Sequence, residues 1–176
     1  MNQVDGCGGK TCCFIGHRKI VITDELNKKM HDTVKNLIEN EKVYTFLFGS
    51  KSAFNRFAYK IVTEIKLKYS QIRRIYVRAE FADISEDYKN YLLEGYEDTY
   101  YPDKIIGAGK QAYVERNYEM IEKSDFCVCY YDVNYQPPKR KGGNGNLIEN
   151  QPKSGTKIAY EYAVKRHKEV INVLME

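Results

Sequence analysis

Short apolar runs alternate along the chain with longer segments whose apolar residues recur at helical spacing. A continuous apolar run that ends at a turn residue is typical of a buried strand. These runs predict five strands, over residues 11–17, 42–50, 72–81, 125–132 and 169–175. The segments between them predict helices, over residues 23–40, 52–69, a short part of 85–109, 110–123 and 155–167.

This order of elements predicts the fold class. Strands separated by helices are joined by right-handed crossovers, which make parallel strand pairs and place helices on the faces of the sheet. We therefore expect an α/β fold: one doubly wound domain with a mainly parallel five-stranded sheet and helices on both faces. The domain covers residues 11–176 and follows a flexible N-terminal tail, residues 1–10. Within the domain, the composition of residues 133–153 predicts a flexible loop.

Composition, charge and motif content limit which partners, metals and cofactors we expect. Of 176 residues, 43% are hydrophobic and 30% charged, and a net charge of +4 is too small and too dispersed to indicate binding to duplex nucleic acid. The chain lacks an apolar run of about eighteen residues, so we expect no membrane span. The five cysteines show no zinc-like spacing, so we expect no metal, and their odd number without a signal peptide favours the cytoplasm. The motifs of dinucleotide and P-loop sites are absent, so we expect no cofactor.

The carboxyl ends of the predicted strands gather residues that suit an anionic ligand. In an open parallel sheet, ligands bind at this edge, where the strand order reverses. Glycine turns, hydroxyl groups and arginines all fall there. The candidate ligand-binding residues are Gly16, His17, Arg18, Gly49, Ser50, Arg116, Tyr131, Asp132, Ser154, Gly155 and Thr156. In this set, Tyr131 is a candidate for stacking on a base and Asp132 for accepting from a ribose hydroxyl.

The start of the last helix has two interpretations. Ser154 or Thr156 can accept a hydrogen bond from a first-turn amide, and Gly155 lets the chain bend, which is ordinary helix capping. Exposed amides beside hydroxyl groups at a helix N-terminus also form an anion site. The local sequence fits both interpretations.

Three segments resemble the YpsA-like members of the SLOG superfamily. Residues 12–18, CCFIGHR, resemble the C-x-F-x-G-H-R opening of that family. Residues 115–132 are similar to its R-N-x-x-M-[IV]-x-x-S-D segment, and residues 154–173 to its closing G-T-x-x-A stretch. The matches keep the family order across residues 11–174. The resemblance implies a Rossmann-like fold and a pocket for nucleotides or for nucleotide-derived signals such as ADP-ribose.

We therefore expect a protein that binds a phosphorylated nucleotide-derived small molecule, similar to AMP, ADP-ribose or cyclic ADP-ribose, as a sensor or a sequestering protein. One alternative is a nucleoside-monophosphate phosphoribohydrolase or other N-glycosidase, as in the related LOG enzymes. The chain departs from their motif, because Ala159 stands where those enzymes carry a glutamate. An enzyme would depend on Glu161, or otherwise on Glu119 or Glu80.

The other alternative is a single-stranded nucleic-acid-binding module, similar to the DNA-processing Smf branch of the superfamily.

Tyrosines are concentrated in residues 88–101. There the chain carries Tyr88, Tyr91, Tyr96, Tyr100 and Tyr101, more aromatic surface than one short helix needs. Because aromatic residues concentrate at binding surfaces, we expect part of this segment to be buried over the pocket or in a homodimer contact.

Overall fold

The structure, a computed structural model, describes residues 8–137 and 154–174. Most of the predicted tail and of the predicted loop lies outside these residues. Lys10, predicted to belong to the tail, is instead the first residue of a strand, because its amide donates to the carbonyl oxygen of Lys42 over 2.8 Å.

Six strands and five helices make up the described part of the chain, with two short 3-10 turns at Asp103–Ile105 and Gly109–Gln111. The strands are β1 (Lys10–Gly16), β2 (Val43–Phe48), β3 (Arg73–Val77), β4 (Asp98–Tyr100), β5 (Phe126–Tyr130) and β6 (Glu169–Asn172). The helices are α1 (Asp24–Glu39), α2 (Ala53–Lys66), α3 (Glu86–Gly95), α4 (Ala112–Glu122) and α5 (Gly155–Lys165). Every predicted helix and strand is present, with bounds that shift by a few residues.

The sheet confirms the predicted fold class and corrects the strand count from five to six. Its order is β4-β3-β2-β1-β5-β6, and every pair is parallel. The extra strand, β4, lies in the tyrosine-rich segment, for which no strand was predicted. Only its pairing with β3 makes it a strand, since three polar and aromatic residues carry no apolar run of their own.

The helices cover both faces of the sheet, as a doubly wound Rossmann-like fold requires. Successive residues of a strand point to opposite faces. Phe14 therefore packs among the residues of α1 and α2, whereas Cys13 and Ile15 pack among those of α4 and α5. The strand order reverses at β1, which pairs with β2 on one side and β5 on the other. A ligand crevice is expected at the carboxyl end of β1.

The tyrosine-rich segment contributes to the two hydrophobic cores. Tyr96 packs on Tyr59 and Tyr76, with ring centroids 4.9 and 5.3 Å apart. Tyr100 packs against the opposite core. Tyr96 and Tyr100 are therefore partly buried within the domain, whereas Tyr88 and Tyr91 are exposed.

No helix in the described part of the chain is both long enough and apolar enough to cross a membrane.

Candidate ligand-binding site

A cavity of 670 Å³ opens at the carboxyl end of β1, where the strand order reverses. Its wall brings together residues that are far apart in the sequence, from the ends of β1 and β2, from α4 and from the first turn of α5. Eight of the candidate residues line it: Gly16, His17, Arg18, Ser50, Arg116, Ser154, Gly155 and Thr156.

Three candidate residues do not line the cavity. Tyr131 stacks on Tyr160, with ring centroids 4.5 Å apart, and Asn172 of β6 bonds to its backbone amide and carbonyl. The carboxylate of Asp132 accepts the amide hydrogen of Asn134 over 2.8 Å in an exposed turn. Gly49 lies behind the side chain of Arg116, as described below. Tyr131 and Asp132 thus lie outside the described lining of this cavity, next to its residue His17.

Several cavity residues were not among the candidates. They are Phe14, Ile15, Lys19, Ser52, Asn55, Tyr113, Asn117, Tyr135 and Pro137. Ser52 and Asn55 could have been found, since a serine followed three residues later by a polar residue marks a helix start after β2. Tyr113 and Tyr135 carry no local signal, because only the packing of α4 and of the turn after β5 brings them to the cavity.

Arg116 is a buried cation at the cavity wall. It is 3% exposed, and burial lowers its pKa below the usual arginine value, opposed mainly by Tyr76 and Glu80. One nitrogen, Nη1, donates to the carbonyl oxygen of Gly49, and Nε donates to Asn117 Oδ1 over 3.1 Å. Among the described residues, no carboxylate forms an ion pair with Arg116 and no acceptor bonds to Nη2. A buried charge without a counter-charge is costly, so this one is expected to find its partner in a ligand.

Gly49 makes room for this arginine. A Cβ at Gly49 would lie 2.6 Å from Arg116 Cδ and 2.7 Å from Met120 Sδ, closer than van der Waals contact allows. The glycine therefore serves to seat Arg116. Gly16 has a comparable role in packing, since a Cβ there would lie 2.2 Å from the ring of Phe54.

The N-terminus of α5 is capped and still offers free donors. Ser154 Oγ accepts the amide hydrogen of Lys157 over 3.1 Å, so the serine is the N-cap. Within the described residues, the amides of Gly155 and Thr156 have no acceptor. A Cβ at Gly155 would meet no atom of the described residues within 4 Å, so in that part of the chain the space beside the first turn is open. The two interpretations of this segment are therefore compatible: the helix is capped, and its N-terminus can still bind an anion.

The N-terminus of α2 lines the same cavity but is more nearly satisfied. Its N-cap, Ser52, accepts the amide hydrogen of Asn55 over 3.1 Å. The amide of Ala53 donates to the carbonyl oxygen of Arg18 over 3.0 Å. Counting acceptors among the described residues, two of the first three amides of α2 are satisfied, against one of three in α5, which makes α5 the better anion site.

His17 joins the ends of β1 and β5. It is 2% exposed, and its Nε2 accepts the amide hydrogen of Asp132 over 3.0 Å. Its ring stacks on Tyr135 with centroids 4.1 Å apart. Burial lowers the pKa of His17, while the Asp132 charge acts in the opposite direction. Because Nε2 is an acceptor, the neutral ring carries its proton on Nδ1.

The described lining of the cavity contains no carboxylate. Glu119 is buried but forms ion pairs with Lys123 and Lys104, at 3.0 and 3.6 Å, and Glu161 is exposed on α5. Glu80 borders a separate small cavity beside Arg78. Among the described residues, no group of three His, Cys, Asp or Glu side chains could hold a metal ion. The cavity is thus lined by hydrogen-bond donors, cations and aromatic rings.

No protein-family model matches the chain, and no curated protein is significantly similar to it.

Proposed function

We propose that this protein binds a phosphorylated nucleotide-derived small molecule, of the kind represented by AMP, ADP-ribose and cyclic ADP-ribose, as a sensor or a sequestering protein. The observation that carries the proposal is the buried cation Arg116. It lines the same cavity as the two free amides of α5, without a carboxylate partner among the described residues.

The phosphate binds where these donors converge. The amides of Gly155 and Thr156 and the Thr156 hydroxyl donate to its oxygens, and Arg116 Nη2 supplies the charge. A helix N-terminus favours an anion through both its free amides and its dipole, and a guanidinium adds charge-assisted hydrogen bonds.

The aromatic residues of the cavity suit the base of such a ligand. Tyr113 and Tyr135 both line the cavity, and the Arg116 guanidinium lies 5.7 Å from the Tyr113 ring centroid. In this proposal Tyr113 stacks on the base, the role for which Tyr131 was the candidate from sequence. Stacking on a tyrosine accommodates any planar base, so the rings contribute affinity more than they select one base.

The resemblance of residues 11–174 to the YpsA-like SLOG proteins supports the same function, and we propose membership of that superfamily. The resemblance implies a pocket for nucleotides or nucleotide-derived signals, and the structure has a cavity at the carboxyl end of β1. A cytoplasmic location belongs to the proposal, and the four described cysteines, which are free and buried, are compatible with a reducing compartment.

The phosphoribohydrolase alternative has less support. Cleavage of an N-glycosidic bond requires a general acid or a nucleophile at the reacting carbon. Glu161, Glu119 and Glu80 all lie outside the described cavity lining. Release of free base from AMP by the purified protein, abolished in Glu161→Gln, would restore this alternative.

A homodimer remains part of the proposal. Tyr88 and Tyr91 stack on each other on the surface of α3, with Tyr91 65% exposed. If this pair forms a contact between two copies, light scattering will give a dimer, and Tyr91→Ser will give a monomer. A monomeric wild-type protein would remove the homodimer from the proposal.

The function is tested by isothermal titration of the full chain at low salt with AMP, NAD, ADP-ribose and cyclic ADP-ribose isomers. We expect at least one to bind below millimolar concentration and Arg116→Gln to weaken that binding. Lys60→Gln, at an exposed side chain outside the cavity, is the matched control.

A second variant, Gly155→Val, keeps the test valid if Arg116→Gln unfolds. If none of the four ligands binds, the proposal is wrong. Mass spectrometry of the denatured protein can identify a ligand that co-purifies.

A further inference from the structure

The charges at the cavity exceed what one phosphate would neutralise. Arg18, Lys19 and Arg116 all line it, and its described lining has no carboxylate. Arg18 and Lys19 form no ion pair with any described residue. A single phosphate at Arg116 and α5 leaves these two cations without an anionic partner.

The positive groups form two separate centres. The first consists of Arg116 and the N-terminus of α5, on the face of the sheet that carries α4 and α5. The second consists of Arg18 and Lys19, directly after β1. The carbonyl oxygen of Arg18 accepts the amide hydrogen of Ala53, which holds this segment at the start of α2, on the opposite face.

The sheet sets the distance between the strand ends that lead into α2 and α5. Helix α2 follows β2 and helix α5 follows β5, and these strands flank β1 on its two sides. The ends of these two strands are about 10 Å apart, and Arg116 lies between them because it bonds to Gly49 at the end of β2. The phosphates of a diphosphate share one oxygen atom and lie much closer together. Phosphates attached to different carbons of a sugar match the separation better.

The lack of a carboxylate in the described cavity lining supports a second phosphate site at Arg18 and Lys19. Dinucleotide-binding folds use an aspartate or glutamate to accept from a free ribose hydroxyl, and a nearby arginine where that hydroxyl carries a phosphate. The cavity has Arg18 and Lys19, and no aspartate or glutamate is among its described lining residues. Its chemistry is that of a site for a phosphorylated sugar hydroxyl.

We propose that the ligand carries two anionic groups on different carbons, as a nucleoside bisphosphate does. One group binds at Arg116 and the first turn of α5, and the other binds at Arg18 and Lys19. This inference rests on the proposed function and narrows its ligand class.

Three adenine nucleotides test the inference by titration of the full chain. AMP carries one phosphate, whereas ADP and adenosine 3′,5′-bisphosphate are isomers with two phosphates that are adjacent or separated. We expect the bisphosphate to bind about tenfold more tightly than ADP, and this advantage to shrink as salt is added, because the Arg18 and Lys19 centre is exposed. Arg18→Gln and Lys19→Gln should each weaken bisphosphate binding more than AMP binding. Lys60→Gln is the control.

The outcomes separate this inference from the function on which it rests. If AMP binds but ADP binds as tightly as the bisphosphate, the two-centre arrangement is wrong and the function stands. The arrangement is also wrong if Arg18→Gln and Lys19→Gln weaken AMP and bisphosphate binding equally. If none of the three nucleotides binds, and the four ligands of the functional test also fail, both proposals are wrong.

Discussion

Arg116 of α4 donates a hydrogen bond to the carbonyl oxygen of Gly49, the residue that follows β2. The residues are 67 positions apart in the chain. The absence of a side chain at Gly49 leaves the space that the arginine occupies. Strand β2 and helix α4 thus hold one guanidinium group at the cavity wall.

Replacement of Gly49 by alanine should displace Arg116. The new Cβ would overlap Arg116 Cδ and Met120 Sδ, and overpacking of this kind costs about 1–3 kcal/mol of stability. We expect the affinity for AMP to fall about tenfold, because the guanidinium moves from its hydrogen bond. Titration and urea unfolding of the same variant measure both effects. An affinity equal to that of the wild type would show that Arg116 does not bind the phosphate.

Replacement of Gly155 by valine separates binding from stability. Open space lies in front of Gly155, so the larger side chain fits the fold but enters the space assigned to the phosphate. We expect AMP affinity to fall at least tenfold, about 1.4 kcal/mol, with little change in melting temperature. Unchanged affinity in a variant with a native melting temperature would place the phosphate elsewhere.

Ser154 and Ser52 form a matched pair of helix caps. Each accepts an amide hydrogen over 3.1 Å at the start of a helix that lines the cavity. Replacing either serine by alanine should cost about 1 kcal/mol of unfolding free energy. Only Ser154→Ala should also weaken AMP binding, because the free amides belong to α5. Equal losses of affinity in the two variants would argue against a phosphate at α5.

His17 should make stability depend on pH. Its pKa in the folded state lies below its ordinary value of 6.5, because burial disfavours the charged ring. The unfolded chain therefore binds more protons between these two values. The His17 contribution is fully present above 6.5 and is lost as the pH falls through the lowered folded-state pKa.

The variant His17→Gln tests this contribution. The glutamine oxygen can still accept the Asp132 amide hydrogen, but the side chain does not titrate. We expect the wild type to lose more unfolding free energy than the variant between about pH 7 and about pH 5. The measurement is urea unfolding of both proteins at each pH. Parallel pH profiles would show that His17 is not buried in its neutral form.

The strands, the helices and the edge of the sheet that holds the cavity could be predicted from sequence because their signals are local. The apolar face of α1 is visible in a window of sixteen residues. The cap at Ser154 is visible in the few residues around it. Eight candidate residues line one cavity because parallel strands all end at the same edge of the sheet.

The role of each residue at that edge depends on partners distant in the chain. Strand β4 exists through its pairing with β3, and Tyr131 is held away from the cavity by Asn172 of β6. Asp132 meets His17, 115 positions earlier, through its backbone amide, so its carboxylate lies outside the cavity.

The sequence by itself determined the order of elements, because helix and strand periodicity reflects residues a few positions apart. Only the tertiary structure decided that Arg116 is buried without a carboxylate partner among the described residues, and that α5 has more free amides than α2. Both properties depend on which groups the folded chain brings within hydrogen-bond distance. A sequence pattern carries no direct record of those distances.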